Sequence, residues 1–128
     1  MTLASTIELG PRAGIEACTD FQISNMEVIY NNSCNRQDTQ TCVAIVGVMA
    51  EYINTDDDNV TWAWSASPIT PGATISLQDP TDQNTIELWV TSDVDVTHIE
   101  VTCTATYVTT GAVSDRTIEV VTTHRLIP

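Results

Sequence analysis

The chain has 128 residues, a length typical of one domain with a hydrophobic core of its own. Its 17 acidic residues stand against 4 basic ones, all arginine, which gives a net charge of −13. Because so few cations can meet phosphate groups or anionic lipids, we expect neither a nucleic-acid nor a membrane partner. No apolar run is long enough to span a membrane, and the N-terminal residues do not resemble a signal peptide.

Residues 1–20 contain glycine and proline and follow no sustained period, so we predict an extended N-terminal arm. Beyond the arm, threonine, valine and apolar–polar alternation dominate between recurring turn residues, which is typical of an all-β sandwich or barrel. We predict a sandwich over residues 21–123, with a polar loop at 31–40 and a C-terminal tail at 124–128. Its seven strands are predicted at 21–30, 41–53, 60–67, 73–78, 85–92, 97–108 and 116–123.

The predicted core follows from which residues share a face. Alternation is clearest over residues 97–108, where the inward side is predicted to be Ile99, Val101, Cys103, Ala105 and Tyr107. Trp62 and Trp64 lie two positions apart in one strand and project from one face. Their outward neighbours are small and offer no platform for a ligand. We therefore predict that both indoles belong to the core rather than to a binding surface.

Three further strands lead to predictions of an outward-facing aromatic residue, a central strand and a shared face. Over residues 85–92 the side chains of Ile86, Leu88 and Val90 face one way, and those of Glu87 and Trp89 face the other. A large outward aromatic on an otherwise polar strand is often an interface residue, so Trp89 is a predicted contact. Residues 41–53 are nearly all apolar, as expected of a central strand buried on both sides. In the first strand, the alternation predicts one shared face for Met26, Val28 and Tyr30.

Two resemblances follow from these patterns. Over residues 41–123, a W-x-W strand, a proline-rich turn, a short "ATIS" strand, an alternating strand and a glycine turn resemble bacterial and viral immunoglobulin-like domains. The resemblance implies an immunoglobulin-like antiparallel β-sandwich, although Val101 stands where antibody domains carry the tyrosine two positions before the cysteine. The acidic, lysine-free, threonine-rich composition resembles proteins of halophilic archaea, whose carboxylates keep the surface hydrated in molar salt.

The four cysteines lie at positions 18, 34, 42 and 103, and their spacings do not match common zinc sites. Cys34 and Cys42 bracket a short loop and are the preferred disulfide pair, which would imply an oxidising destination. In the alternative, Cys42 and Cys103 would form an inter-sheet bridge of immunoglobulin type. Cys103 could also be a buried thiol.

Acidic residues gather in the turns, at 56–58, at 79 and 82, and at 93 and 95. They could bind calcium, but solvated turns are the expected reading at this composition. His98 and His124 are the only histidines, and no nucleophile motif or phosphate-binding glycine loop is present in the sequence. We therefore predict no catalytic site, no metal site and no cofactor.

Immunoglobulin-like modules of this size are often found on the capsids and tails of tailed viruses. The resemblance thus implies a non-enzymatic virion protein, most specifically a capsid decoration (cement or turret) protein of a tailed virus of a halophilic archaeon. It would assemble in the host cytoplasm and be exposed on the particle. We expect a homo-oligomer that contacts the major capsid protein or neighbouring subunits through Trp89 and through Leu3 and Ile7 of the arm. The alternatives are a carbohydrate- or cell-surface-binding adhesin module and a tail or fibre component.

Overall fold

Eight β-strands in two sheets form the part of the chain that the computed structural model describes, residues 21–53, 55 and 59–128. In chain order the strands are β1 (Gln22–Asn32), β2 (Cys34–Gln37), β3 (Cys42–Ile53), β4 (Val60–Pro68), β5 (Thr74–Gln78), β6 (Thr85–Ser92), β7 (Val96–Tyr107) and β8 (Ala112–Ile127). Sheet one has the order β1-β3-β6-β5, and sheet two has the order β2-β8-β7-β4. All neighbours are antiparallel except β2 and β8, which are parallel. Within these residues no helix has the length and apolar character of a membrane span.

The core lies between the two sheets and follows the predicted alternation. The inward residues of β6 and β7 are buried, namely Ile86, Leu88, Val90, Ile99, Val101, Cys103 and Ala105. Tyr107, at the end of β7, is only half-buried. Its ring lies against Phe21, with 5.7 Å between the ring centroids. The prediction of an all-β domain of two packed sheets is confirmed, with eight strands in place of seven.

The predicted loop at 31–40 and the predicted tail at 124–128 are both corrected. β1 continues to Asn32, and Cys34–Gln37 forms β2, which runs parallel to the end of β8. β8 is accordingly 16 residues long and ends at Ile127, so the domain includes most of the predicted tail. The sequence of β2 is polar because it is an edge strand in which Arg36 alone is buried. A short edge strand of this kind has no alternating apolar signal.

A bulge in β1 overturns the predicted shared face of Met26, Val28 and Tyr30. The register between β1 and β3 is irregular between Val28 and Tyr30. Val28 pairs with the buried Val48, whereas Tyr30 pairs with Gly47 on the outer face. One extra residue in a strand turns the following side chains to the other face of the sheet. Tyr30 therefore faces away from the core.

A disulfide joins Cys34 at the start of β2 to Cys42 at the start of β3, with 6.0 Å between their Cα atoms. The bond links the two sheets, because β2 belongs to sheet two and β3 to sheet one. Cys103 is a free thiol in the core, and its burial raises its pKa to about 12. A bridge between Cys42 and Cys103 is therefore not formed.

We expect the Cys34–Cys42 bond to stabilise the domain by about 2.5 kcal/mol, because it closes a loop of fewer than ten residues in the unfolded chain. The measurement is denaturant unfolding of the wild type and of the Cys34→Ser/Cys42→Ser double variant. Cys103→Ser provides a control that removes a cysteine but no bond. Equal midpoints for the wild type and the double variant would contradict the expectation.

Candidate interaction surface

The outer face of sheet one carries two aromatic rings. The ring of Tyr30, from the edge strand β1, covers the central strand β3, and Trp89 belongs to the central strand β6. Tyr30 of β1 pairs with Gly47 of β3, and Gly47 pairs on its other side with Glu87 of β6. A Cβ atom at Gly47 would collide with the ring of Tyr30, so the ring covers the backbone of β3 at this point. Trp89 lies two residues beyond Glu87 on the same outward side of β6. Only glycine allows the tyrosine ring to approach the strand so closely.

Glu87 holds both rings in place. The Tyr30 hydroxyl donates a hydrogen bond of 2.8 Å to Oε1 of Glu87, and the Trp89 indole Nε1–H donates one of 2.8 Å to Oε2. The polar atoms of both rings are thus satisfied within the domain, while 37% of Tyr30 and 41% of Trp89 remain exposed. We call Tyr30, Gly47, Glu87 and Trp89 the Trp89 platform. Its rings are oriented in advance and present their apolar surfaces to the outside.

The platform also explains why β3 is apolar on both of its sides. Inward, Ala44, Val46 and Val48 are fully buried. Outward, Ile45 pairs with Trp89 and is half-buried, although Val43 nearby remains exposed. The prediction of a central strand is confirmed, but its predicted burial on both sides is only partial, because Val43 and Ile53 are exposed on the outward side.

The hydrogen bonds of the platform change the acidity of both of its titratable groups. The indole of Trp89 first, and the hydroxyl of Tyr30 second, stabilise the charged Glu87 and lower its pKa below the ordinary 4.5. Partial burial, followed by the hydrogen bond to Glu87 and its charge, raises the pKa of Tyr30 above the ordinary 10.0. Glu87 therefore carries its charge throughout the neutral and mildly acidic range.

Because the folded-state pKa of Glu87 is lowered, its contribution to stability is present above pH 4.5 and is lost as the pH falls through the lowered value. We expect the NMR signal of the Trp89 indole N–H to shift in that acidic step, when the acceptor becomes neutral. The Trp64 indole N–H, which donates to the backbone carbonyl of Gln83 at 2.7 Å, is an internal control that should not shift. A Trp89 signal that titrates above pH 4.5, or does not change before unfolding, would contradict this assignment.

A cavity of about 270 Å³ opens beside the platform. Its walls include Tyr30 and Glu87 of the platform, together with Gln78, Asp79 and Pro80 from β5 and the turn that follows it. Polar side chains beside an aromatic surface are a common composition of a small recognition site, although the Gln78 amide here donates to Ser76 Oγ at 2.9 Å. This cavity could not be predicted from the sequence, because its walls come from three separate segments.

Trp62 and Trp64, which were predicted to belong to the core, are half-buried rather than fully enclosed. Trp62 and Trp64 face Ala105 and Cys103 of β7 and pack against the core cluster. They remain partly exposed because β4 lies at one edge of sheet two, opposite the edge formed by β2. Trp62 also contacts Tyr52, with 5.8 Å between the ring centroids.

A buried polar cluster joins the sheets near the disulfide, and the sequence did not predict it. His124 of β8 is fully buried, and its Nε2–H donates a hydrogen bond of 2.8 Å to the carbonyl of Val90 in sheet one. In a neutral ring Nδ1 then accepts from the Thr97 hydroxyl, at 3.2 Å. Arg36 donates from Nε to the His124 carbonyl at 2.9 Å and from Nη2 to Asp95 at 2.7 Å. All of these groups are engaged with one another, which indicates a structural role.

Leu3, Ile7 and the acidic run 56–58 are outside the described residues. Among the residues that are described, no group of three or more His, Cys, Asp or Glu side chains could hold a metal ion. No protein-family model, no curated protein and no solved structure matches the chain.

Proposed function

We propose that the chain is a non-enzymatic structural module of a virus particle, most specifically a capsid decoration (cement or turret) protein of a tailed virus of a halophilic archaeon. The observation that carries the proposal is the Trp89 platform. Its two rings are already ordered by Glu87, so a partner would meet an apolar surface without the entropy cost of ordering it. Tryptophan and tyrosine in such positions are typical of the residues that dominate binding energy at protein interfaces.

The strand order supports an immunoglobulin-like sandwich, the fold class of the proposed virion module. Constant-type immunoglobulin domains pair strands A, B, E and D in one sheet and C, F and G in the other. If β2 is left out, the other seven strands can be lettered A to G in chain order. Sheet one then has the order A-B-E-D, and sheet two has the order G-F-C. The additional strand β2 lies parallel to β8, the last strand. The disulfide also links the two sheets, but it differs from the antibody type because Cys42 of β3 bonds to Cys34 of β2 and Cys103 of β7 is free.

Surface composition supports an assembled, halophilic protein. The net charge of −13 would repel neighbouring copies at low salt, whereas molar salt shortens the Debye length to about 3 Å. Both sheets nevertheless expose large apolar side chains, such as Val43 on sheet one and Val113 on sheet two. The Cys34–Cys42 bond suits an exterior, oxidising location.

The proposal also includes the N-terminal arm, through Leu3 and Ile7, as a second contact with the major capsid protein or a neighbouring subunit. The experiment is quantitative mass spectrometry of gradient-purified particles from the host that carries the gene. We expect the wild-type chain in many copies per particle, and a chain shortened by residues 1–16 at reduced occupancy. A wild-type chain found only in the particle-free lysate would overturn the proposal.

A glycan-binding adhesin module is the second candidate, and one observation favours it. The cavity beside Tyr30 combines an aromatic ring with the polar side chains of Gln78 and Asp79, a composition that suits a sugar ring. A glycan array probed with the purified domain separates the two functions. Binding that is lost on Gln78→Ala would favour the adhesin, whereas no binding at high protein concentration favours the structural role.

A further inference from the structure

Arg125 lies on the face of the domain opposite the platform. Of the three arginines in the described part of the chain, Arg36 is buried and ion-paired, and Arg116 donates to the Ser24 carbonyl at 3.0 Å. Arg125 is exposed, and within the described residues its side chain has no hydrogen bond or ion pair. In a chain of net charge −13, a guanidinium that pairs with no carboxylate of the described residues is an unusual feature.

Arg125 lies beside two exposed apolar side chains and one carboxylate. A depression of about 220 Å³ is lined by Asp95, Val96, Thr123, Arg125 and Leu126, and the Asp95 carboxylate is ion-paired with Arg36 at 2.7 Å. Val96 is 46% exposed and Leu126 is 49% exposed, so both retain much of their apolar surface in contact with water. We call Arg125, Val96 and Leu126 the Arg125 patch. A cation with apolar neighbours matches a partner surface that is aromatic and acidic.

The Trp89 platform has those two properties. Each oxygen of Glu87 accepts one hydrogen bond within the domain and retains capacity for another. A guanidinium placed there would meet a carboxylate and lie on the negative faces of Tyr30 and Trp89, the arrangement of a cation–π contact. Arginine stacks on aromatic rings in this way more readily than lysine does.

The two surfaces cannot meet within one copy. The inward residues of β6 and β8, such as Leu88 and Val120, are buried in the core, and their neighbours alternate outward. Trp89 thus lies on the outer face of sheet one and Arg125 on the outer face of sheet two, on opposite sides of the sandwich. A contact between them must join two molecules head to tail. Such a contact closes into a ring or continues as a chain of copies, depending on the rotation between neighbours.

We propose that the Arg125 patch of one copy binds the Trp89 platform of the next copy. The inference rests on the proposed function for the role of the platform, and it names the partner as a second copy of this chain. Molar salt favours the contact because it screens the repulsion between the acidic surfaces of the two copies.

Sedimentation velocity of the full chain in molar potassium chloride tests the contact, with Arg125→Glu and Glu87→Arg as the two variants. We expect the wild type to be oligomeric and each variant alone to be monomeric. An equimolar mixture of the two should assemble again, because Arg125 of one variant meets the intact platform of the other. Arg116→Glu carries the same charge change outside the contact and should assemble as the wild type does.

The inference is overturned by a monomeric wild type, by wild-type assembly of Arg125→Glu, or by a mixture that stays monomeric. Its failure is distinguishable from failure of the proposed function. If purified particles contain the chain but Arg125→Glu assembles normally, the contact between copies is wrong and the virion role stands. If the oligomer behaves as expected but no particle contains the chain, the virion role is wrong and the contact stands.

Discussion

Replacing His124 by alanine is expected to lower the free energy of unfolding by about 3–5 kcal/mol, the largest effect of any single polar substitution considered for this domain. The ring is fully buried, so its removal leaves a cavity in the core. It also leaves the Val90 carbonyl and the Thr97 hydroxyl without their partners, and both lie away from water. Denaturant unfolding of the purified variant measures the loss.

The second histidine of the chain provides the matched control. His98 is half-buried, with 43% of its side chain exposed, and its Nδ1 lies 2.7 Å from a carboxylate oxygen of the exposed Glu119. Because surface contacts of this kind contribute little, His98→Ala should change the unfolding free energy by less than about 0.5 kcal/mol. If the free energy of unfolding falls by similar amounts in His124→Ala and His98→Ala, His124 does not connect the sheets.

Trp64→Ala is expected to destabilise the domain by about 2–4 kcal/mol, and Trp89→Ala by less than about 1 kcal/mol. Trp64 packs against the core cluster and its indole N–H donates to the Gln83 carbonyl, so alanine removes both apolar contact and a hydrogen bond. Trp89 lies on the outside of sheet one, and its loss uncovers Ile45 without opening the core. Thermal unfolding of both variants in the same buffer gives the comparison.

The comparison also separates the two roles that a tryptophan can have here. Trp64→Ala should reduce the melting temperature. In the molecules that remain folded, it should leave the hydrogen bonds of the Trp89 platform unchanged. Trp89→Ala should keep the melting temperature near that of the wild type and weaken association between molecules. An unchanged melting temperature for Trp64→Ala would contradict its assignment to the core.

Alternation along the sequence was enough to predict most strands and the core face of two of them. β6 and β7 are amphipathic with a period of two, because one side of each faces the core. β2 was not predicted from the sequence. It pairs with the end of β8, about ninety positions away, and its own residues show no apolar–polar alternation. The same long-range pairing makes the predicted tail a strand.

Only part of the Trp89 platform could be predicted from the sequence. Glu87 and Trp89 share an outward face by simple alternation, and that face is the observed one. Tyr30 could not be placed there, because its outward direction depends on a bulge in β1 and on the glycine beneath its ring. Arg36 and His124 illustrate the opposite case, in which polar residues are buried because each finds hydrogen-bond partners that only the folded chain brings close.

The number of copies of the Trp89→Ala variant in purified virus particles tests the proposed role of the platform most directly. The variant should fold with a near-native melting temperature, because Trp89 lies outside the core. We predict that the wild-type chain is present in many copies per particle and that the variant is reduced at least about tenfold, as expected for the loss of a central interface residue. A folded Trp89→Ala chain that occupies particles at the wild-type level would contradict the account.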